Sequence, residues 1–364
     1  MSYSAALPQI IRFGSGVRAD LPEILPPGDV MIICGRHSAG RLEKELLPRL
    51  NGKAEIFCVP AEIPLSFVAK AVSVAENMRC SAVVGWGGGS AMDAAKAVAA
   101  LMYAPESVEN YFYCRAAAPE RKTFLALLPT TAGTGAEVTA NAVLCDEKTG
   151  IKQSLRTPGM SADAALVDPE LLMDAPPEVI AASGMDALTQ ALESFVSSKA
   201  TSFTKQLALN SAALLFESLL VAFKGDENAF EKVARGSLFA GMALAASGLG
   251  AVHGIGHPLG SVLHIGHGTA CAGLLAEVMR YNLPYAREVF SELACGLAFD
   301  APEKLICAVE NLRDELGIAG NFRAYGLSEK DFDFIVANCR SGSMRCNPAE
   351  FSDDDVRELL RKLI

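Results

Sequence analysis

Four of the five histidines in the chain fall within one segment, His253-Gly-Ile-Gly-His257-Pro-Leu-Gly-Ser-Val-Leu-His264-Ile-Gly-His267-Gly268. Neutral imidazole ligates divalent metals and exchanges protons near pH 7. Glycines leave room around the rings, so this glycine-rich turn reads as a metal site, an acid/base site or both. One such histidine alone is more simply a buried ring satisfying backbone groups, but the cluster reverses that reading. A second stretch, Gly184-Met-Asp186-Ala-Leu-Thr-Gln190-Ala-Leu-Glu193, sets Asp186 and Gln190 four residues apart, on one face of a helix. Asp186 in so apolar a helix needs a cation or a hydrogen-bond partner, whereas Glu193 reads as solvated. Asp186 with His253 and His267 would make an O,N,N ligand set with a coordination position left for substrate oxygen.

Other residues suggest an anion site. Ser81-Ala-Val-Val-Gly85-Trp-Gly87-Gly88-Gly89-Ser90 is a buried strand that ends in glycines and opens into a helix over Ala91–Met102. Glycines let the backbone approach a pyrophosphate, and the free N–H groups of the following helix face the anion. The spacing departs from Gly-x-Gly-x-x-Gly, and the strand is not the first of the chain, so the usual dinucleotide fingerprint is absent. Asp93 and Lys96 lie one turn into that helix. Pro129-Thr130-Thr131-Ala-Gly-Thr134-Gly-Ala-Glu137 adds a loop dense in hydroxyls that could close over a nucleotide. At the end of the first long strand stand Gly35 and Arg36, where NAD-specific folds carry an acid that binds the ribose hydroxyls. Arg36 would suit a 2′-phosphate instead, so NADP(H) is expected to be accepted and favoured.

The elements that must position these residues change character along the chain. Short apolar runs at Ile10–Phe13, Val30–Cys34, Ala54–Val59, Ser81–Gly85, Thr123–Leu128 and Ala164–Val167 alternate with helical patterns at Ser38–Leu50 and Pro64–Met78, the signature of βαβ units. Val138–Cys145 and Ile151–Leu155 flank Asp146-Glu-Lys-Thr-Gly150 as a hairpin. Past Pro176-Pro177 the strand signals nearly stop and successive helices follow. A boundary near Asp174 therefore separates an α/β domain, 1–174, from an all-helical one, 175–364, and 364 residues suit two domains.

Composition excludes several classes. A net charge of −10 and the lack of a basic run argue against nucleic acid or a membrane surface as partner, leaving a small molecule. Met1–Pro8 carries no secretory pattern, and the apolar region Ser237–Leu263 is interrupted by glycine, histidine and Pro258, so a cytoplasmic protein without transmembrane segments is expected. Ten cysteines, scattered without a Cys-x-x-Cys pair, read as reduced and mostly buried thiols.

The glycine loop, the Thr-Thr-Ala-Gly-Thr-Gly loop, Gly-Met-Asp-Ala-Leu-Thr and His-Gly-x-x-His-Pro-Leu-Gly…His-Gly, in that order, resemble the iron-containing (group III) alcohol dehydrogenase family. The resemblance runs from Phe13-Gly-Ser-Gly to Cys346-Asn-Pro. It implies a dehydroquinate synthase-like architecture: a mostly parallel α/β nucleotide-binding domain followed by an all-α metal-binding and catalytic domain. It implies NAD(P), a divalent metal (Fe²⁺ or Zn²⁺), a small alcohol or aldehyde substrate, and a homodimer or larger homo-oligomer in which the N-terminal extended piece could pair across an interface. Residue by residue, it implies Gly87, Gly88, Gly89, Ser90 and Asp93 at the pyrophosphate, Thr130, Thr131 and Thr134 on the adenine and ribose side, and Asn141 and Lys152 at the cofactor. Asp186, His253 and His267 match metal ligands, and His257 matches a histidine near the nicotinamide, assigned here to proton relay. His264 matches no functional position.

Gln190 departs from the pattern, which places a histidine there as fourth ligand. Either its neutral amide oxygen coordinates or water takes the position, and both weaken the site relative to imidazole. Glycerol-dehydrogenase-like or dehydroquinate-synthase-like chemistry on the same site, and a nucleotide-binding protein with a decayed metal site, are the alternative readings.

Overall fold

The computed structural model describes residues 5–364, so the first half of the Met1–Pro8 segment lies outside it. The chain forms two compact units. One comprises Ala6–Thr131 and Gly135–Asp174; the other takes in Ala175–Ile364 together with Ala132–Thr134.

The first unit is a six-stranded parallel sheet built from β1 (Ile10–Phe13), β2 (Val30–Cys34), β3 (Ala54–Cys58), β4 (Ala82–Gly87), β5 (Phe124–Pro129) and, after a two-stranded hairpin of β6 (Asn141–Cys145) and β7 (Lys152–Arg156), β8 (Ala164–Val167). The order across the sheet is β1-β8-β5-β4-β2-β3. Strand β2 shows why its apolar run is continuous rather than alternating: Met31 and Ile33 join the core on one face, with α3 (Leu65–Met78) and α4 (Gly89–Leu101), while Val30, Ile32 and Cys34 join the core on the other. Helices α1 (Leu21–Ile24), α2 (Ala39–Glu45) and α5 (Val108–Phe112) complete this unit. The expected helix over Ser38–Leu50 is shorter, because Pro48 lacks the N–H that would continue it and the chain passes into a 3-10 turn at Leu47–Arg49. Strand β1 pairs in register with β8 of its own chain, from Ile10 with Ala164 to Phe13 with Val167.

The second unit contains α6 (Pro177–Val196), α7 (Ser202–Phe223), α8 (Ala229–Ser247), α9 (Ala251–Leu263), α10 (His267–Asn282), α11 (Arg287–Gly296), α12 (Pro302–Glu315), α13 (Phe332–Asn338) and α14 (Asp353–Arg361). Helix α7 is apolar and long enough to cross a membrane by composition, with a mean hydropathy of 1.5 over its best window. Its Ala208, Ala212, Leu215 and Leu219 are, however, fully buried in the unit, and Gly184 on α6 and Gly236 on α8 admit the leucine side chains.

The histidine segment is not a turn. It forms helix α9 up to His264, which ends the helix in the left-handed region at φ 54°, and His267 opens α10. Pro258 lies inside α9, its ring facing the carbonyl of Gly254 four positions back. Gly254 also lets α9 approach the Cys339 carbonyl and Met344, where a Cβ would lie 3.0 Å from each. Helix α13 was not legible, being only seven residues long. The cysteines are all free but not mostly buried: Cys34, Cys80, Cys271, Cys339 and Cys346 are, whereas Cys58, Cys114, Cys295 and Cys307 are exposed and Cys145 is intermediate.

Candidate active site

Helices α8 and α9 meet at 106° across a glycine-bearing break, Gly248–Gly250, and the break matters because it delivers the start of α9 onto α6. Glu193 receives it. One carboxylate oxygen accepts the Val252 N–H at 2.7 Å, and the other lies 2.7 Å from His253 Nδ1. An anion belongs at that helix end, where backbone N–H groups lack partners. A Cβ on Gly250 would stand 2.7 Å from Glu193 Oε1, so the close approach needs glycine there. Glu193 is therefore buried and engaged, not solvated. With Nδ1–H given to the carboxylate, the ring presents Nε2 as a lone pair.

That lone pair faces Asp186. Nε2 of His253 lies 3.3 Å from Asp186 Oδ1, and Nε2 of His267 lies 3.7 Å from the same oxygen. Gln190, one turn along α6, donates its amide N–H to Asp186 Oδ2 at 3.3 Å. One donor atom from each of Asp186, His253, His267 and Cys271 lies within 4.8 Å of every other. His257 stacks face to face on His267, with ring centres 4.6 Å apart and planes 8° from parallel. His264 points elsewhere as the exposed end of α9.

The electrostatics call for a positive charge here. Burial opposes a charged His253, but Asp186 and Glu193 on either side outweigh it and push its pKa up to about 10. Burial likewise raises the Asp186 carboxyl, and the imidazoles of His267 and His253 more than offset that, holding it below the ordinary carboxylate range. Proton or metal, some cation must sit among these carboxylates.

The remaining predicted residues lie in the sheet unit. Strands β2 and β4 are neighbours, yet the chain leaves β2 toward β3 and leaves β4 toward β5, in opposite directions across the sheet. Their carboxyl ends therefore flank a topological switch point, where open α/β sheets bind nucleotides. Gly35 follows β2, and the glycine turn closes β4. A Cβ on Gly87 would meet Gly35 N at 3.1 Å, Gly87 accepts the Thr130 N–H at 3.0 Å, and Gly88 lies against Thr131 Oγ1. Gly89 and Ser90 open α4, with the Ser90 hydroxyl donating to the Ala61 carbonyl at 2.7 Å. Gly35, Gly87, Gly88, Thr130 and Thr131 are thus brought together. Arg36 is exposed just beyond, and among the described residues no carboxylate pairs with it.

Asp93 and Lys96 turn inward instead. Asp93 accepts the Val143 N–H at 2.9 Å and pairs with the fully buried Lys96 at 2.8 Å, fastening α4 to the hairpin. Asn141 donates to Ser154 across the hairpin at 3.1 Å, Lys152 lies 3.5 Å from Glu62, and Thr134 groups with the helical unit.

Comparison with known proteins decides the family: residues 8–169 match iron-containing alcohol dehydrogenase, and residues 180–364 match the C-terminal domain of the Fe-containing alcohol dehydrogenase family. The chain belongs to the iron-containing alcohol dehydrogenases. It is 36% identical over 314 residues to 1-propanol dehydrogenase of Salmonella typhimurium, covering 82% of this chain and 81% of that one. It is 32% identical over 376 residues to NADPH-dependent butanol dehydrogenase of Clostridium saccharobutylicum, covering 97% and 96%. Among solved structures, sulfoacetaldehyde reductase from Bifidobacterium kashiwanohense in complex with NAD⁺ superposes with a TM-score of 0.94 at 29% identity, covering 100% of this chain and 99% of that one.

As an iron-containing alcohol dehydrogenase, the protein is an oxidoreductase acting on CH–OH groups. Sequence reasoning missed two residues of its cluster. Cys271 stands one turn after His267 and would have been found had α10 been started at that histidine. Glu193 stands two turns after Asp186, a spacing that returns to the same face of the helix.

Glu193 also supports a test. It uses both oxygens as acceptors, one for each N–H, and glutamine offers only one. If the cluster of Asp186, His253, His267 and Cys271 holds a metal, Glu193→Gln is expected to lower its affinity about 10–100-fold, the usual effect of removing the group that orients a ligating histidine. Competition with a chromogenic chelator measures it; unchanged affinity would mean that Glu193 does not hold the ring.

Proposed function

We propose that the protein is a metal-dependent, NADP(H)-favouring reductase of short aliphatic aldehydes, running as an alcohol dehydrogenase in reverse, with Asp186, His253 and His267 holding the metal. One observation carries this reading: Asp186 Oδ1, Gln190 Oε1 and His253 Nε2 are buried side-chain atoms with no hydrogen-bond partner. Leaving buried acceptors unpaired costs about 1–3 kcal/mol each, and a coordinated cation removes that cost. A carboxylate with imidazoles suits zinc or ferrous iron.

Bound there, a divalent cation would supply Lewis acidity toward the substrate oxygen. The residues of the chain do the rest. Glu193 fixes the tautomer and tilt of His253, and Gln190 fixes the Asp186 carboxylate. A bound nicotinamide would supply or accept the hydride, and His257, stacked on His267, would relay the proton between solvent and the substrate oxygen. Gly87, Gly88 and Gly89 let the pyrophosphate approach the backbone at the start of α4, with Thr130 and Thr131 beside them. Asp93, Asn141 and Lys152 shape that subsite through the hairpin.

The NADP(H) preference rests on Arg36 at the end of β2, where no acid stands to repel a 2′-phosphate, and the NADPH-dependent relative agrees with it. Oxidation of NADPH and NADH, followed by absorbance with propanal and butanal, tests both parts. Turnover is expected with either aldehyde, with kcat/KM higher for NADPH. Loss of a charge-assisted hydrogen bond should lower that value about 10-fold or more in Arg36→Ala while sparing NADH. No aldehyde-dependent oxidation of either cofactor, with metal supplied, would refute the function. Equal use of both cofactors, unchanged in Arg36→Ala, would refute the preference alone.

A further inference from the structure

Cys271 is a buried cysteine that the proton and hydride steps do not use. It lies on α10 one turn after His267, fully buried, with Sγ 3.6 Å from His267 Nε2 and about van der Waals distance from where a Cβ on Gly256 would stand. It is also the only member of the cluster with a thiol, in a site where the family pattern has lost its fourth imidazole to Gln190.

We propose that Cys271 Sγ, as a thiolate, is the fourth protein ligand of the metal, with Gln190 orienting Asp186 beside it. The inference rests on the metal-site reading above and names the ligand set that this chain substitutes for Asp/His/His/His.

Distances carry the argument. Around a tetrahedral ion with metal–nitrogen and metal–oxygen bonds of about 2.0–2.1 Å and a metal–sulfur bond of about 2.3 Å, neighbouring N and O donors stand about 3.3 Å apart and neighbouring N and S donors about 3.5–3.6 Å. His253 Nε2 to Asp186 Oδ1 is 3.3 Å, His267 Nε2 to Asp186 Oδ1 is 3.7 Å, and Cys271 Sγ to His267 Nε2 is 3.6 Å. The first edge matches such a polyhedron and the second is slightly long; Cys271 Sγ, also 3.9 Å from His267 Nδ1, lies beside the ring, so a turn about its Cα–Cβ bond has to bring it in front of Nε2 for the third edge to close. An ordinary sulfur–nitrogen hydrogen bond would give the last of them a reason and a protonated His253 would give the first one, whereas a metal accounts for all three contacts at once.

Gln190 is less suited to the position. Its Oε1 is unpartnered and open to a cation, but its amide N–H holds it against Asp186 Oδ2 and a neutral carboxamide binds first-row metals less well than thiolate. The chemistry balances simply: the thiol gives its proton to solvent as the sulfur–metal bond forms, and no electron moves. Asp186 and Cys271 then bring two negative charges to a dication, and the softer donor favours zinc or cobalt. A fifth position stays available to substrate, since zinc sites expand to five-coordinate.

Cobalt(II) reports sulfur ligation directly. Metal-stripped protein is titrated with Co²⁺ and its near-ultraviolet and visible spectra are recorded, alongside Cys271→Ser, Cys271→Ala and His267→Ala. The expected result is a sulfur-to-cobalt charge-transfer band that saturates at one Co²⁺ per chain. Both Cys271 variants should still bind Co²⁺ through Asp186, His253 and His267, without the band and at least about 10-fold more weakly. His267→Ala should lose band and binding together. Stoichiometric Co²⁺ with visible ligand-field bands but no charge-transfer band would overturn the Cys271 assignment and leave the metal site standing. Persistence of the band in both Cys271 variants, each with a native circular dichroism spectrum, would assign the sulfur to another cysteine and also overturn it. Absence of any Co²⁺ binding would overturn both readings.

Discussion

His267→Ala is expected to purify without metal and to lose about 10³-fold or more in kcat/KM, whereas His257→Ala should retain its metal and lose turnover alone. The two rings are stacked 4.6 Å apart, so burial and local packing hardly distinguish them. Their relation to Asp186 does. His267 Nε2 lies 3.7 Å from Asp186 Oδ1 and belongs to the four-residue cluster, while His257 lies outside it. Removing a ligand deletes the whole electrophilic contribution, several kcal/mol of transition-state stabilisation, at about 1.4 kcal/mol per tenfold. Removing a proton relay costs about 10²–10⁴-fold in turnover. Metal stoichiometry, measured by atomic emission on dialysed protein, separates the roles more cleanly than rate. Equal metal loss in the two variants would place His257 among the ligands.

The second large effect is expected at Gly268. Helix α10 begins against α6, and a Cβ on Gly268 would lie 2.1 Å from the Ala182 carbonyl oxygen and 2.7 Å from its carbon. Both are backbone atoms within helix α6, which cannot turn aside as a flexible side chain would. Gly268→Ala must therefore push the first turn of α10 away, at about 3 kcal/mol or more of stability, the upper end of the range for overpacking. The displaced turn carries His267 with it, so metal affinity should fall as well. Gly266→Ala is the control: on the other side of His267, its nearest neighbour is Thr269 Oγ1 at 3.7 Å and its φ of −59° is open to any residue, so stability should change by less than about 1 kcal/mol. Thermal unfolding of both variants gives the comparison. Similar melting temperatures would show that the close approach of α10 to α6 does not hold the site.

Much of this protein was legible in one sequence. Strand β2 reads as a buried parallel strand because Val30–Cys34 is apolar at every position, and only a sheet covered on both faces accepts that pattern. Asp186 and Gln190 could be placed on one helix face because the helical repeat alone brings residues four apart together, and their side chains do meet. Motif order then identified the family, since four spaced segments constrain far more than any one of them.

Tertiary structure decided what spacing cannot. Glu193 looked like a solvated side chain because its use depends on the 106° turn between α8 and α9, which brings Val252 and His253 to it from sixty residues away. For Asp93 the sequence shows the distance from the glycines but not the Val143 N–H and the Lys96 ammonium that its carboxylate engages. The histidine segment looked like a turn because glycine and proline disfavour helix locally, whereas the close packing those glycines permit stabilises helix α9 from outside. Cys271 gained its place in the same way: only when His267 opens a helix does the residue four positions later face the same metal.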